Sequence, residues 1–481
     1  MKIKRTHLLH AILFLASCQT VKPYQRAFLN DRDMQSGKNS IDKLTNSVHA
    51  YKEGASGGGG GKTSGGCGCN KFIQGMKKKL IWFGLFTTCF IYGRPQQSVN
   101  PGTANRVSKS SIELVYSQYL GNGDHSAITG GTGTEKLIVY EPELILKHQI
   151  DTLRSSWVDA GIDVITSASM DNIDFVKSSA SRVSKRGYVT TGYETKLKKN
   201  NDILVGGSGY FSIESAYLSV GAGLSAVCTS KDKSREFSAE LNAYFDDLLW
   251  GRLNGERPLK LVYPVELRDT NWDTKHNRDS YNLNISFSQT INERTLLAFL
   301  PGFIYQQGLL STPYHRVYFS NGLERVERLP DKRWKLPLGI QVNSFIGDRY
   351  VLRSYYRFYY DNFGIAAHTI ELALAAKLSL KCTLTPSLRL YTQRGSSFFE
   401  PYEKLNINQE YYTSNYEFSS FNSYEAGMEL RWAGLAAKKA SFYFDELGLR
   451  YSFYRRSDGL YGHLITLVMD MFYDKHQHSI H

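Results

Sequence analysis

YNLNISFS, residues 281–288, alternates without a break: Tyr281, Leu283, Ile285 and Phe287 share one face, and Asn282, Asn284, Ser286 and Ser288 the other. A period of two marks an extended strand with unlike faces, because successive side chains of a strand point to opposite sides. The same period runs through Phe237, Ala239, Leu241, Ala243 and Phe245, against Ser238, Glu240, Asn242, Tyr244 and Asp246. Such segments recur from about residue 110 to 472, and no stretch after residue 93 is continuously apolar for the length of a spanning helix. Composition agrees: 32 Tyr and 25 Phe against 12 Pro favour strands, and 41 Gly suit tight turns and bulges.

The connections alternate in length. Short turns stand at KKNN near 200, NER near 293 and IGD near 347, and long polar loops at 248–278, 309–332 and 395–419. A transmembrane barrel produces this asymmetry, with tight periplasmic turns and long outer loops. The hairpin count predicts about sixteen strands, with fourteen the near alternative, and an even number puts both barrel ends on the periplasmic side. A soluble sandwich also alternates, but Tyr, Phe and Trp gather near the strand ends here. The final strand, GHLITLVMDMFY, sets Ile465, Leu467, Met469 and Met471 on one face before Phe472 and Tyr473, resembling an outer-membrane assembly signal. The expected fold is all-β: a transmembrane antiparallel up-and-down β-barrel over residues 110–473, porin-like and in a Gram-negative outer membrane. A largely disordered N-terminal extension precedes it and a tail, 474–481, follows.

That extension carries two export signals. MKIKRTHLLHAILFLASCQT has a basic start, an apolar run too short to span a bilayer, and a lipobox at Leu15-Ala16-Ser17-Cys18. Residues 1–17 are thus a lipoprotein-type signal peptide, and Cys18 is the lipidation site. SGGGGGKTSGGCGCNKF, residues 56–72, is no phosphate loop: Ser56 replaces the first Gly and no apolar strand precedes it. Cys67 and Cys69 are either two ligands for a soft metal or a redox pair, or incidental thiols in a flexible linker. Met76-Lys77-Lys78-Lys79 then opens a second basic and apolar segment, 76–93, followed by a linker, 94–109. Residues 18–75 therefore read as a small lipoprotein-like segment, joined to the barrel in one mature chain or separate from it. The six cysteines show no disulfide-framework spacing.

Strand parity assigns the lumen. Arg353, Tyr355, Arg357 and Tyr359 point inward, as do Glu371, Lys377, Arg389, Tyr391, Glu425, Glu429, Arg431, Glu446 and Arg450, with Glu141, Glu143, Asp159 and Asp163 on early strands. Opposed acidic and arginine-rich sectors could line a selective pore, or could pair across strands and close the interior. The formal charge of +13 is scattered among acids without a nucleic-acid-binding motif, so a nucleic-acid partner is not expected. Nor is an enzyme. His368 shares its parity with Ile370, Leu372 and Leu374, and Tyr210 replaces the last Gly of a nucleophile elbow around Ser208.

Longer motifs carry two family resemblances. GLLSTPYHRVYF (308–319), LPDKRW (329–334), YYRFYYDNFGIAAHTIELAL (355–374) and RLYTQRGSSFF (389–399) resemble the outer-membrane proteins called domain of unknown function thirty-five seventy, over roughly residues 105–472. Ala216 in SIESAYLS departs from that pattern, which has an acid there. CQTVKPYQRAFLNDRDMQSG (18–37) and GGCGCN (65–70) resemble the small lipoproteins called domain of unknown function forty-two sixty-six. The resemblance implies neighbouring thioredoxin-like and flavin-transferase partners and a periplasmic redox or metal system. Outer-membrane lipid and the outer-membrane assembly machinery are the other expected partners. No cofactor is expected beyond a soft metal at Cys67 and Cys69. Two roles follow: a channel or transport component, or a non-conducting anchor presenting the thiol-bearing segment.

Overall fold

Period-two alternation yields strands along most of the chain. The computed structural model describes residues 26–35, 40–55, 109–167, 183–197, 200–214, 218–248, 277–312, 315–434 and 442–474. Its strands are β1 (Lys109–Asn122), β2 (Leu137–Gln149), β3 (Arg154–Ser167), β4 (Val183–Leu197), β5 (Asn200–Glu214), β6 (Leu218–Thr229), β7 (Arg235–Asp247), β8 (Asn277–Asn292) and β9 (Thr295–Gly308). They continue with β10 (Arg316–Tyr318), β11 (Glu324–Val326), β12 (Lys332–Ile346), β13 (Tyr350–Asp361), β14 (Ala366–Lys377), β15 (Cys382–Arg394), β16 (Phe421–Ala433), β17 (Phe442–Arg456) and β18 (Tyr461–Asp474). Sixteen of these close into one antiparallel barrel, and β10 and β11 form a separate hairpin. β1 closes on β18 in unbroken register from Lys109↔Asp474 to Asn122↔Tyr461. The closure leaves the barrel sheet itself without an open edge.

Both ends of the sheet therefore lie at one mouth. That mouth carries the short connections 150–153, 230–234, 293–294, 347–349 and 378–381, and the opposite mouth the long ones 123–136, 309–331 and 395–420. The hairpin β10–β11 belongs to one long loop and packs on the next: Val317, Phe319, Leu405 and Tyr412 form a buried cluster above the barrel.

The outer wall is apolar. Leu224, Ile162, Met428 and Leu241 are 67%, 53%, 53% and 49% exposed, on a surface that continues through Phe287, Phe299, Ile340, Ile370, Leu390 and Leu449. A water-soluble protein does not keep so large an apolar face bare, whereas a barrel wall in hydrocarbon requires one. Trp334, Tyr360, Tyr424 and Tyr461 ring the long-loop mouth, and Tyr350, Trp432 and Phe444 the short-turn mouth. Such belts sit at membrane–water interfaces. The fold is an outer-membrane β-barrel of sixteen strands, the first of the two predicted counts.

The interior is occupied. Within the extension expected to be largely disordered, residues 26–35 and 40–55 take defined structure inside the barrel: two short 3-10 turns (Arg32–Met34 and Ser40–Asp42) and helix α1 (Lys43–Lys52). Asp31 caps the first turn, its carboxylate accepting from the Asp33 amide at 2.9 Å, a common helix-start device. Ile41, Leu44 and Val48 fall on one helical face and meet the wall of β17, β18, β1 and β2. Ile41 packs with Val115, Ile145 and Val468; Leu44 and Val48 pack with Tyr119, Val139, Tyr454 and Leu464. Order here comes from this burial, because a helix so short is marginal alone. The two export signals, Cys18, Cys67, Cys69, Ala216 and the tail beyond Asp474 lie outside the described residues.

Candidate functional site

Three tiers of contacts seat the segment across the lumen. At the short-turn mouth, Phe28 packs tilted against Phe345, ring centroids 4.9 Å apart, under the Arg294 guanidinium, and Met34 is fully buried against Phe345, Val351 and Ala375. The Asp33 carboxylate accepts from Arg431 at 2.6 Å and from Lys377 at 2.6 Å. Lys377 also donates to Asp31 at 2.8 Å, and Arg32 donates to Glu446 at 2.6 Å.

At mid-depth, Lys43 reaches two wall carboxylates, Glu143 and, at 2.7 Å, Asp159. Asp42 pairs with Arg450 at 2.5 Å, and Arg450 in turn holds Glu429 at 2.5 Å. The His49 ring lies 2.8 Å from Glu425. Glu53, completely buried, takes both Arg389 guanidinium nitrogens at 2.7 Å, with Ser423 and Tyr454 hydroxyls at 3.2 and 3.3 Å. Bidentate, charge-assisted bonds of this kind are the strong ones.

At the long-loop mouth the main chain itself is gripped. Arg456 donates to the Lys52 carbonyl at 2.7 Å, Arg333 to the Gly54 carbonyl at 3.0 Å, and the Gly54 amide donates to Gln393 at 3.1 Å. Lys52 pairs with Glu135, and Ala55 sits among Tyr359, Ile365, Tyr391 and Phe421. A methyl group on Gly54 would lie 2.5 Å from the Glu417 carbonyl, so the chain needs glycine where it leaves the helix.

Parity placed the predicted lumenal groups, and the structure brings most of them to the segment. Glu143 and Asp159 hold Lys43; Arg389, Arg431 and Arg450 hold Glu53, Asp33 and Asp42. Glu371 and Glu429 back Arg389 and Arg450. Asp163 is apart from the segment and pairs with Arg186 on the adjoining strand. Arg353 and Arg357 line a remaining cavity of about 1150 Å³ beside α1. What parity does not reveal is the other half of each pair, since Asp33, Asp42, Lys43, His49 and Glu53 lie on the extension. Their helical apolar stripe, Ile41, Leu44 and Val48, is the signal in the sequence that this stretch packs against something. Among the described residues no cluster of three or more His, Cys, Asp or Glu has the arrangement of a metal site.

A family described as "Protein of unknown function (DUF3570)" matches residues 174–464, more than half of the chain. The chain belongs to this family. A second, "Domain of unknown function (DUF4266)", matches residues 21–70, which include the lumenal segment. The two matches follow the order that the sequence motifs led us to expect. No curated protein is significantly similar in sequence. Among solved structures, a bacterial polysaccharide outer membrane secretin shares 10% identity at a TM-score of 0.39, over 76% of this chain and 98% of that one. OprD from Pseudomonas aeruginosa shares 9% at 0.37, over 79% and 98%. The translocator domain of autotransporter NalP from Neisseria meningitidis shares 10% at 0.30, over 82% and 95%. For this DUF3570 chain the membrane assignment rests on its own closed sheet and apolar exterior.

Proposed function

We propose that the barrel is a holder that clamps its lipoprotein-like segment across the outer membrane, and that in this state it does not conduct. The observation that carries the reading is the seating of residues 26–55 through the whole depth of the lumen by ion pairs on both sides of α1. A buried charge without its partner is strongly unfavourable, so the seated arrangement is specific as well as occluding. With the short-turn mouth facing the periplasm, Arg26 lies on the periplasmic side and Ala55 on the side of the outer loops.

A gated channel is the second reading, favoured by the cavity beside α1, which Arg353, Arg357, Glu240 and Glu371 help to line. Conductance of the full-length protein in planar bilayers separates the two. A holder is silent, and it acquires charge-selective steps only when Asp33→Lys and Glu53→Lys loosen the segment. Stable steps from the unsubstituted chain would overturn the holder reading.

A further inference from the structure

Arg26 and Ala55 lie at opposite mouths of the barrel. Arg26 donates to the carbonyl of Lys233, in a short turn, while Ala55 is buried among residues at the long-loop ends of β13 to β16. β1 nevertheless starts at Lys109, paired with Asp474, at the mouth where Arg26 sits. The two described ends, Ala55 and Lys109, therefore stand at opposite mouths.

The described parts of the segment, residues 26–35 and 40–55, are held through their own side chains. Asp33, Asp42, Lys43, Lys52 and Glu53 each meet an opposite charge on the wall or its loops, and Ile41, Leu44 and Val48 fill an apolar groove. An amphipathic helix laid in a groove, fixed by charges of both signs, is how separate polypeptides are recognised. The second basic and apolar segment from Met76 has the form of an independent export signal.

We infer that residues 26–55 are a peptide ligand of the barrel, held non-covalently in a lumenal binding site, and that the link between Ala55 and Lys109 is dispensable once the segment is seated. This rests on the holder reading above. The site accepts a short polypeptide with a mixed-charge end like Arg26 to Asp33, an apolar helical stripe and a Lys-Glu pair at the other end.

The test uses the full chain with a specific protease site placed in residues 71–75 and an affinity tag after residue 481. The protein is purified folded in detergent, cut, and passed over a sizing column at physiological salt. The N-terminal fragment should stay with the barrel and separate only on denaturation. The same cut protein carrying Asp33→Lys and Glu53→Lys, both on the segment, should lose it, while heat-modifiable gel mobility reports that the barrel itself is folded. Departure of the unsubstituted fragment on cutting would overturn the inference, as would its retention by the doubly substituted protein. Conductance of the uncut chain is measured beside it: a silent uncut chain whose fragment departs sinks the ligand and spares the holder, and a conducting one sinks the holder.

Discussion

Arg389 and Glu53, 336 residues apart, form a two-pronged ion pair inside the barrel, each guanidinium nitrogen 2.7 Å from its own carboxylate oxygen. Glu53 is wholly buried and Arg389 nearly so. The pair ties the end of α1 to the centre of β15, and Glu371 steadies it from β14 at 3.0 Å.

Breaking that pair should release the segment without unfolding the barrel. Removing one partner of a buried pair costs about 3–5 kcal/mol, whereas replacing both by apolar groups costs far less. Glu53→Gln is thus expected to speed proteolytic cutting within residues 26–55 by about a hundredfold to a few thousandfold, at about 1.4 kcal/mol per factor of ten. Glu53→Leu with Arg389→Met should recover most of the loss. Equal cutting rates in Glu53→Gln and the unsubstituted protein would show that the pair does not hold the segment.

Apolar seating is checked separately. Leu44 is 1% exposed between β1, β18 and the helix, and a buried Leu→Ala change costs about 2–5 kcal/mol. Leu44→Ala should raise the same cutting rate at least tenfold and leave the thermal unfolding of the barrel, followed by gel mobility, where it was. A coincident loss of both would mean that segment and barrel unfold as one unit.

The loops over the long-loop mouth should loosen as pH rises. Glu417, on loop 395–420, is pushed up to about 7 by burial, with Glu135 adding to the rise and Lys52, His315 and Arg456 opposing it. On loop 309–331 burial alone would lower His315, but the Glu327 carboxylate 3.5 Å away outweighs it and holds the imidazole above its ordinary value. Both groups bind protons more tightly folded than unfolded. The stability from Glu417 is full below its ordinary 4.5 and lost as pH rises through about 7. That from His315 is full below 6.5 and lost above that value. Hydrogen exchange of residues 395–420, corrected for intrinsic rates, should be faster at pH 8 than at pH 5, and Glu417→Gln should shrink the difference. A pH-independent loop would refute the assignment.

The lipid face can be probed at Leu224, 67% exposed near the middle of β6. Arg there should cost about 2–4 kcal/mol of folding free energy in vesicles, whereas Phe should cost little. A shift in the urea midpoint for Arg no larger than that for Phe would argue that this face does not meet hydrocarbon.

Much of this architecture was legible in the residues. Alternation in YNLNISFS and its counterparts gave strands, turn lengths gave the two mouths, and parity placed Glu143, Asp159, Arg389, Arg431 and Arg450 inside. The stripe of Ile41, Leu44 and Val48 was equally present, but a stripe says only that a helix has an apolar side and not which wall receives it. Lys43 and Glu143 are 100 residues apart and Asp33 and Arg431 are 398; no local pattern links them.

The sequence by itself determined that this protein is a membrane barrel, because strand periodicity is a local property: each residue's side is set by its neighbours two positions away. Only the tertiary structure decided that the lumen is filled, and by what. Complementarity between a segment near the N-terminus and strands from β2 to β18 exists only once closure has brought the inward charges of distant strands to one axis, at a separation the segment's own charges can span.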